Sequence, residues 1–171
     1  LGGNGTLGGT VTLGSGATIA PGGTLGGFGL LSLTGPTLTL DVNANALFQI
    51  GSSLTPVRGT DFDALNQSSA LVWGGLLSLD IAAQFPDGTY SWDLFDFGSE
   101  SGDLSSLTLG GSYSGSLTQA GDLWTMVTSS ESWQFDQTTG VLALTVSSIP
   151  EPGRFSLLLL GAAFVSLRRR R

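Results

Sequence analysis

The tightest constraint on this chain is its punctuation. Residues 1–40 contain no charged side chain, and 13 of the 27 glycines fall within residues 1–35. Inside that stretch Gly5-Thr6-Leu7-Gly8-Gly9 returns as Gly23-Thr24-Leu25-Gly26-Gly27, eighteen residues on, and Val11-Thr12-Leu13 has a similar partner in Leu31-Ser32-Leu33, twenty residues on. Short alternating runs such as Thr10–Leu13 and Thr37–Asp41 lie between Gly, Pro and Asn corners. Alternation is the signature of a strand and Gly or Pro that of a tight corner, so the pattern predicts short strands joined by sharp turns. A repeat of about twenty residues built this way suits a β-solenoid, in which each coil buries its apolar face on the next. A flexible Gly-rich linker lacks such recurring branched apolar positions.

From Leu38 onward the strand pattern continues with longer spacers: Leu38–Val42, Ala46–Ile50, Ala70–Trp73, Leu76–Ile81, Tyr90–Phe97, Leu104–Leu109, Ser112–Leu117, Leu123–Thr128, Ser132–Asp136 and Val141–Val146. Tyr90–Phe97 has aromatics on both faces, which predicts a strand covered on both sides. Ser132–Val146 reads as a hairpin, with Asp136-Gln137-Thr138-Thr139-Gly140 as its loop. No stretch before residue 150 keeps a helical period. The expected fold is all-β: a parallel β-helix-like solenoid over residues 1–57, then a β-rich region over 58–148 that closes the solenoid or forms a small sandwich.

Chemistry is restricted by what is missing. The 171 residues include no His and no Cys, and all six cations are Arg. Disulfides, thiolate zinc sites and Ser-His or Cys-His nucleophile pairs are therefore excluded, and acid–base work falls to carboxylates or Tyr. Residues 1–150 hold twelve acids and one Arg, net −11, so most of the surface repels phosphate and no nucleic acid is expected as partner.

Residues 149–171 break from this pattern. Ile149-Pro150-Glu151-Pro152-Gly153-Arg154 is followed by the uncharged, proline-free run Phe155–Leu167 and then by Arg168, Arg169, Arg170 and Arg171. As a helix the thirteen-residue run would reach about 20 Å, short of a hydrocarbon core of roughly 30 Å. Snorkelling Arg side chains and local thinning cover part of the deficit. Phe155, Leu157, Leu158, Leu159, Leu160, Phe164, Val165 and Leu167 contribute about −2.4 to −5 kcal/mol to insertion, which suits a weak, removable anchor. The Arg cluster acts as a stop-transfer signal and leaves the acidic body outside. A run of this length is otherwise a buried core helix, but such a helix seldom ends at four consecutive Arg. Pro150 and Pro152 fix backbone φ and keep their segment extended, open to a protease at the membrane surface.

These three parts in this order resemble the C-terminal sorting signal of the PEP-CTERM family of exported bacterial proteins. The match covers about residues 149–171. The resemblance implies recognition and cleavage near Pro150-Glu151-Pro152 by exosortase, a membrane protease-transpeptidase. It also implies transient anchoring in the inner membrane of a Gram-negative bacterium, and then a cell-surface or extracellular place linked to exopolysaccharide or biofilm matrix. Upstream, Gly5–Leu33 is similar to autotransporter-associated strand repeats, and Arg58-Gly59-Thr60-Asp61-Phe62-Asp63 to a segment that often follows them. The opening residues read as the middle of a repeat, so export information is expected upstream of Leu1; the alternative is a chain that is not exported.

Other candidates compete with plainer readings. Asp93, Asp96, Glu100 and Asp103, with Gly98 and Gly102 between them, raise a hard-cation site, as do Asp61 and Asp63, but no EF-hand or glycine-aspartate nonapeptide is present and solvated loop acids are expected. Neither a metal nor another cofactor is predicted. The favoured function is non-enzymatic, a structural or adhesive matrix component. One alternative is the C-terminal fragment of a polysaccharide-acting β-solenoid enzyme whose catalytic coils lie upstream of Leu1, which would show a groove lined by three or more acids plus Arg. A carbohydrate-binding module would need coplanar exposed rings among Trp73, Tyr90, Trp92, Tyr113, Trp124 and Trp133. A scaffold would bury those aromatics.

Overall fold

The computed structural model describes residues 1–23 and 27–148. Sixteen strands make up its regular structure, and no helix occurs among the described residues. In chain order they are β1 (Gly2–Gly3), β2 (Gly5–Leu7), β3 (Val11–Leu13), β4 (Thr18–Pro21), β5 (Leu30–Leu33), β6 (Thr37–Leu40), β7 (Asn45–Ile50) and β8 (Ala64–Trp73). There follow β9 (Leu76–Ile81), β10 (Gly88–Asp93), β11 (Phe95–Gly102), β12 (Ser106–Gly111), β13 (Gly115–Ala120), β14 (Leu123–Val127), β15 (Glu131–Asp136) and β16 (Val141–Val146).

The first twelve strands, β10 apart, wind as a β-solenoid of about three turns. On one side β1, β4, β7, β9 and β12 stack in parallel; on the other β2 and β3 lie on β5 and β6, both of these on the long β8, and β8 on β11. Parallel register puts like on like: Leu31 faces Leu65 and Leu65 faces Phe95, Leu38 faces Leu71, and Phe48 faces Leu79. Thr-Leu alternation sends every second residue inward, so Leu31, Leu33, Leu38 and Leu40 are buried while Ser32 and Thr39 face outward. Beyond β12 the ladder turns antiparallel through β13, β14, β15, β16 and β10.

The coil period corrects the expected one. Gly5 faces Leu31 and Val11 faces Leu38, offsets of 26 and 27 residues, and Leu31–Leu33 lies on Gly5–Leu7 rather than on Val11–Leu13. Eighteen residues separate ladder partners only where Gly2 faces Ala20. The cause is a single growing corner. Asn4 alone joins β1 to β2, residues 22–29 join β4 to β5, and residues 51–63 join β7 to β8. Strands recur faithfully while their spacing changes from coil to coil, from 18 residues between Gly2 and Ala20 to 34 between Leu31 and Leu65 and 30 between Leu65 and Phe95.

Two further expectations change in detail. Tyr90–Phe97 is two strands, not one: β10 pairs with β16, the chain bends at Leu94, and β11 crosses to β8. The bend lets Trp92 and Phe95 both point inward. Ser99–Gly102, expected as loop, extends β11 along Ala70–Trp73. The Ser132–Val146 hairpin forms, with Asp136 facing Val141. Gly140 closes it at φ 72°, where its carbonyl accepts from Leu94 N and Phe95 N. A Cβ there would collide with the Phe95 backbone.

One buried cluster runs from Leu13 to Leu144, across residues 57 and 58. Its C-terminal half is aromatic: Trp92 stacks on Trp133, Tyr113 meets Trp133 edge-on at 4.9 Å, and Trp73 and Phe95 meet edge-on at 4.9 Å. The expected C-terminal hydrophobic helix, Phe155–Leu167, lies outside the described residues. Among those described, no helix is long and apolar enough to cross a membrane.

Candidate functional site

Ser32, Asn66 and Asp96 face one another across β5, β8 and β11, since Ser32 pairs with Asn66 and Asn66 with Asp96. With Leu33, Thr34, Gln67, Ser68, Phe97 and Gly98 they line an open groove of about 420 Å³. Its shape follows from local sequence. Coil two turns a corner at Thr34-Gly35-Pro36, whereas β8 runs straight past that point, and β11 absorbs the mismatch as an irregularity between Phe97 and Ser99. Gly98 sits there with the Ser68 and Ser69 carbonyl oxygens 3.1 and 3.2 Å from where a Cβ would stand.

Two amides in the groove lining are incompletely bonded. Gln67 is 1% exposed, and its Nε2 donates to Gly35 O and Ala70 O at 3.1 Å, but its Oε1 accepts nothing. Asn66 Oδ1 is likewise buried without a partner. Both oxygens are enclosed rather than solvent-facing, as are the unpartnered Arg58 Nε and the indole nitrogens of Trp73, Trp92 and Trp133.

At the Asp96 end stands Arg58, whose Nη1 lies 3.0 Å from Asp93 and 3.8 Å from Asp96, while Nη2 donates to Leu65 O at 3.2 Å. Burial pushes the Asp93 carboxyl up; Arg58 pulls it down and Asp96 pushes it up again. Arg58 is the one Lys or Arg among the described residues.

Asp63 is fully buried and has no cation beside it. Its two oxygens accept from Gly29 N and Gln49 N, each at 2.8 Å, and burial raises its pKa from 3.8 to about 6 against the lowering effect of those bonds. Asp61 is spent locally, accepting from Val57 N at 2.9 Å. This corner is a staple between coils rather than a cation site. The four acids from Asp93 to Asp103 also divide. Asp93 and Asp96 pair with Arg58, whereas Asp103 accepts from Gln119 Nε2 at 3.0 Å. Glu100 is raised first by burial, then by the charge of Asp122. Among the described residues no three acids gather closely enough to hold a metal ion.

The groove holds one acid, Asp96, rather than the three or more expected of a glycosidase-like cleft. Trp73, Tyr90, Trp92, Tyr113, Trp124 and Trp133 are all buried, so none offers a sugar-stacking face. Pro150, Glu151 and Pro152, the apolar run Phe155, Leu157, Leu158, Leu159, Leu160, Phe164, Val165 and Leu167, and Arg168 to Arg171 lie outside the described residues.

Sequence reasoning missed the polar interior: Asp63, Gln67 and Gln137. Gln137 is 0% exposed, its Oε1 accepts from Leu104 N and its Nε2 donates to Gly102 O. A polar residue at an inward position of an alternating run is the signal that marks Gln67; Asp63 and Gln137 sit in corners, where nothing in the pattern separates them from solvated loop residues. No family model, curated protein or solved structure matches this chain.

Proposed function

We propose that this protein is a non-enzymatic surface or extracellular-matrix component of a Gram-negative bacterium, exported and then sorted through residues 149–171. Exosortase recognises the Pro150-Glu151-Pro152 segment while the Phe155–Leu167 run holds the chain in the inner membrane and Arg168 to Arg171 stop its transfer. Cleavage near the tripeptide releases the acidic β body to the cell surface or medium, where exopolysaccharide is its surrounding.

The observation that carries this reading is the ordered tripartite C-terminus: two prolines flanking a glutamate, an uncharged apolar run, and four terminal Arg. The prolines hold an extended, hydrogen-bond-poor segment within reach of a protease, and the apolar run is short enough to be a temporary anchor. A solenoid with its Trp and Tyr rings buried, and with one acid in its groove, supports a scaffold in preference to a catalyst.

Replacing Pro150, Glu151 and Pro152 together with Ala in the native host tests it. Uncleaved protein should accumulate in the membrane fraction, and mass spectrometry of the wild-type mature form should place its C-terminus near the tripeptide. Unchanged release of the variant into the medium would refute the sorting role.

A further inference from the structure

We propose that Asn4-Gly5 is a spontaneous modification site, at which the folded chain converts Asn4 to aspartate and isoaspartate and so loosens its own first coil. The inference rests on the corner between β1 and β2 and is independent of how the protein is sorted. Asn4 alone makes that corner and is exposed, and its Oδ1 accepts from Leu30 N at 3.0 Å. The fit is close: a Cβ on Gly29 would strike Asn4 Oδ1 and the Gly22 backbone. Gly5 stands at φ 134°, a glycine conformation, and no heavy atom lies within 4 Å of where its Cβ would be. The flank of the Asn4–Gly5 amide is therefore open to water.

These are the parts of a cyclisation. Gly5 N gives its proton to hydroxide and attacks Asn4 Cγ, forming the N–Cγ bond. The Cγ–Nδ2 bond breaks, and the amine takes a proton from water and leaves as ammonia. During the attack negative charge gathers on Oδ1, where the Leu30 N–H already donates as an oxyanion donor does. Nδ2, the departing group, donates to none of the described residues. Water then opens the five-membered imide. Hydrolysis at Cγ gives aspartate; hydrolysis at the main-chain carbonyl leaves the chain running through Cβ and Cγ, which is isoaspartate.

The two products differ in what they do to the coil. Aspartate keeps the length of the main chain and an oxygen for Leu30 N. Isoaspartate adds a carbon to a one-residue corner, so Gly2 opposite Ala20 and Gly5 opposite Leu31 cannot both stay in register. Either product places a negative charge within residues 1–40, which carry no charged side chain. The other three asparagines lack these parts. Asn43 and Asn45 precede Ala and Asn66 precedes Gln, so a side chain crowds each attacking nitrogen.

The test holds the full chain, folded and in urea, at pH 7 and pH 8, and follows by mass spectrometry the amide-to-acid conversion of each asparagine. Isoaspartyl methyltransferase labelling reports isoaspartate. Asn4 should convert first, faster at the higher pH, and at least as fast folded as in urea, because the Leu30 N–H is in place only in the fold. In the converted protein the Leu30 amide should exchange its hydrogen about tenfold faster, the loss of one hydrogen bond. Asn4→Gln, which cannot close a five-membered ring, should show no conversion at residue 4. Slower conversion in the folded chain than in urea, earlier conversion of another asparagine, aspartate without isoaspartate, or unchanged exchange at Leu30 each overturns the proposal.

Discussion

Asp63 and Gln49 bond each other reciprocally: Gln49 N donates to the Asp63 carboxylate and Asp63 N donates to Gln49 O, both at 2.8 Å. The second carboxylate oxygen takes Gly29 N, and Ala64 N returns to Gly29 O, so one buried side chain ties β7 to the approaches of both β5 and β8. A single acidic residue thus organises the longest corner of the solenoid.

The pH dependence follows from its raised pKa. Between about 3.8 and about 6 the folded protein holds a proton that the unfolded chain has released. The stability that proton contributes is complete below the lower value and is lost as pH rises through the upper one, a change of about 3 kcal/mol at most. Asp63→Asn should abolish this component. Urea unfolding of both proteins at pH 4, 5, 6 and 7 would show the wild type losing stability relative to the variant across that range; parallel curves would mean that Asp63 does not titrate there.

Trp133 anchors the aromatic half of the core with no exposure, its ring 6.3 Å from that of Trp92 and 15° off parallel, and its indole nitrogen has no acceptor. Trp133→Ala should cost about 3–5 kcal/mol through the cavity it leaves. Trp133→Phe keeps a ring in the stack and removes an unsatisfied donor whose burial costs about 1–3 kcal/mol, so its loss should be the smaller by at least about 2 kcal/mol. Thermal unfolding of the two variants would measure the gap.

Arg58 joins the 51–63 corner to the bend between β10 and β11. Its partners are half or more exposed, which limits the ion pairs to about 1 kcal/mol, but Leu65 O also loses its side-chain donor when Arg58 is removed. Arg58→Ala should destabilise by about 1–2 kcal/mol, less so in high salt than the wild-type pairs would otherwise suggest. The Asp93 carboxyl should titrate at higher pH in the variant, because the one neighbour that lowers it is gone while Asp96 still raises it. A carboxyl-detected NMR titration of Asp93 reads this directly.

What the sequence disclosed was strand identity. Leu76–Ile81 and Val141–Val146 have the same bounds in the structure as in the alternation, because each presents a strictly periodic face to the core. Coil length was obscured, since one corner takes up between one and thirteen residues while pattern reading counts residues rather than corners. The bend at Leu94 was invisible for a different reason. An aromatic on both faces of Tyr90–Phe97 fits a doubly covered strand as well as two strands meeting at a corner, and only the pairing of Trp92 with Leu142 and of Phe95 with Leu65 separates them. The groove lining was hidden too: Ser32, Asn66 and Asp96 lie 34 and 30 residues apart, and nothing local announces that the coils bring them abreast.

β12 carries β9 in parallel on one edge and β13 in antiparallel on the other. This strand is consequently the seam through which the coiled and meandering halves melt together or not at all. Peeling away the meander would bare the hydrogen-bonding edge of the last coil and, with it, the rings of Trp73 and Phe95. Proteolytic trimming from the C-terminal side should therefore produce either the intact β body or fragments without a fold, with no stable stump of coils between them.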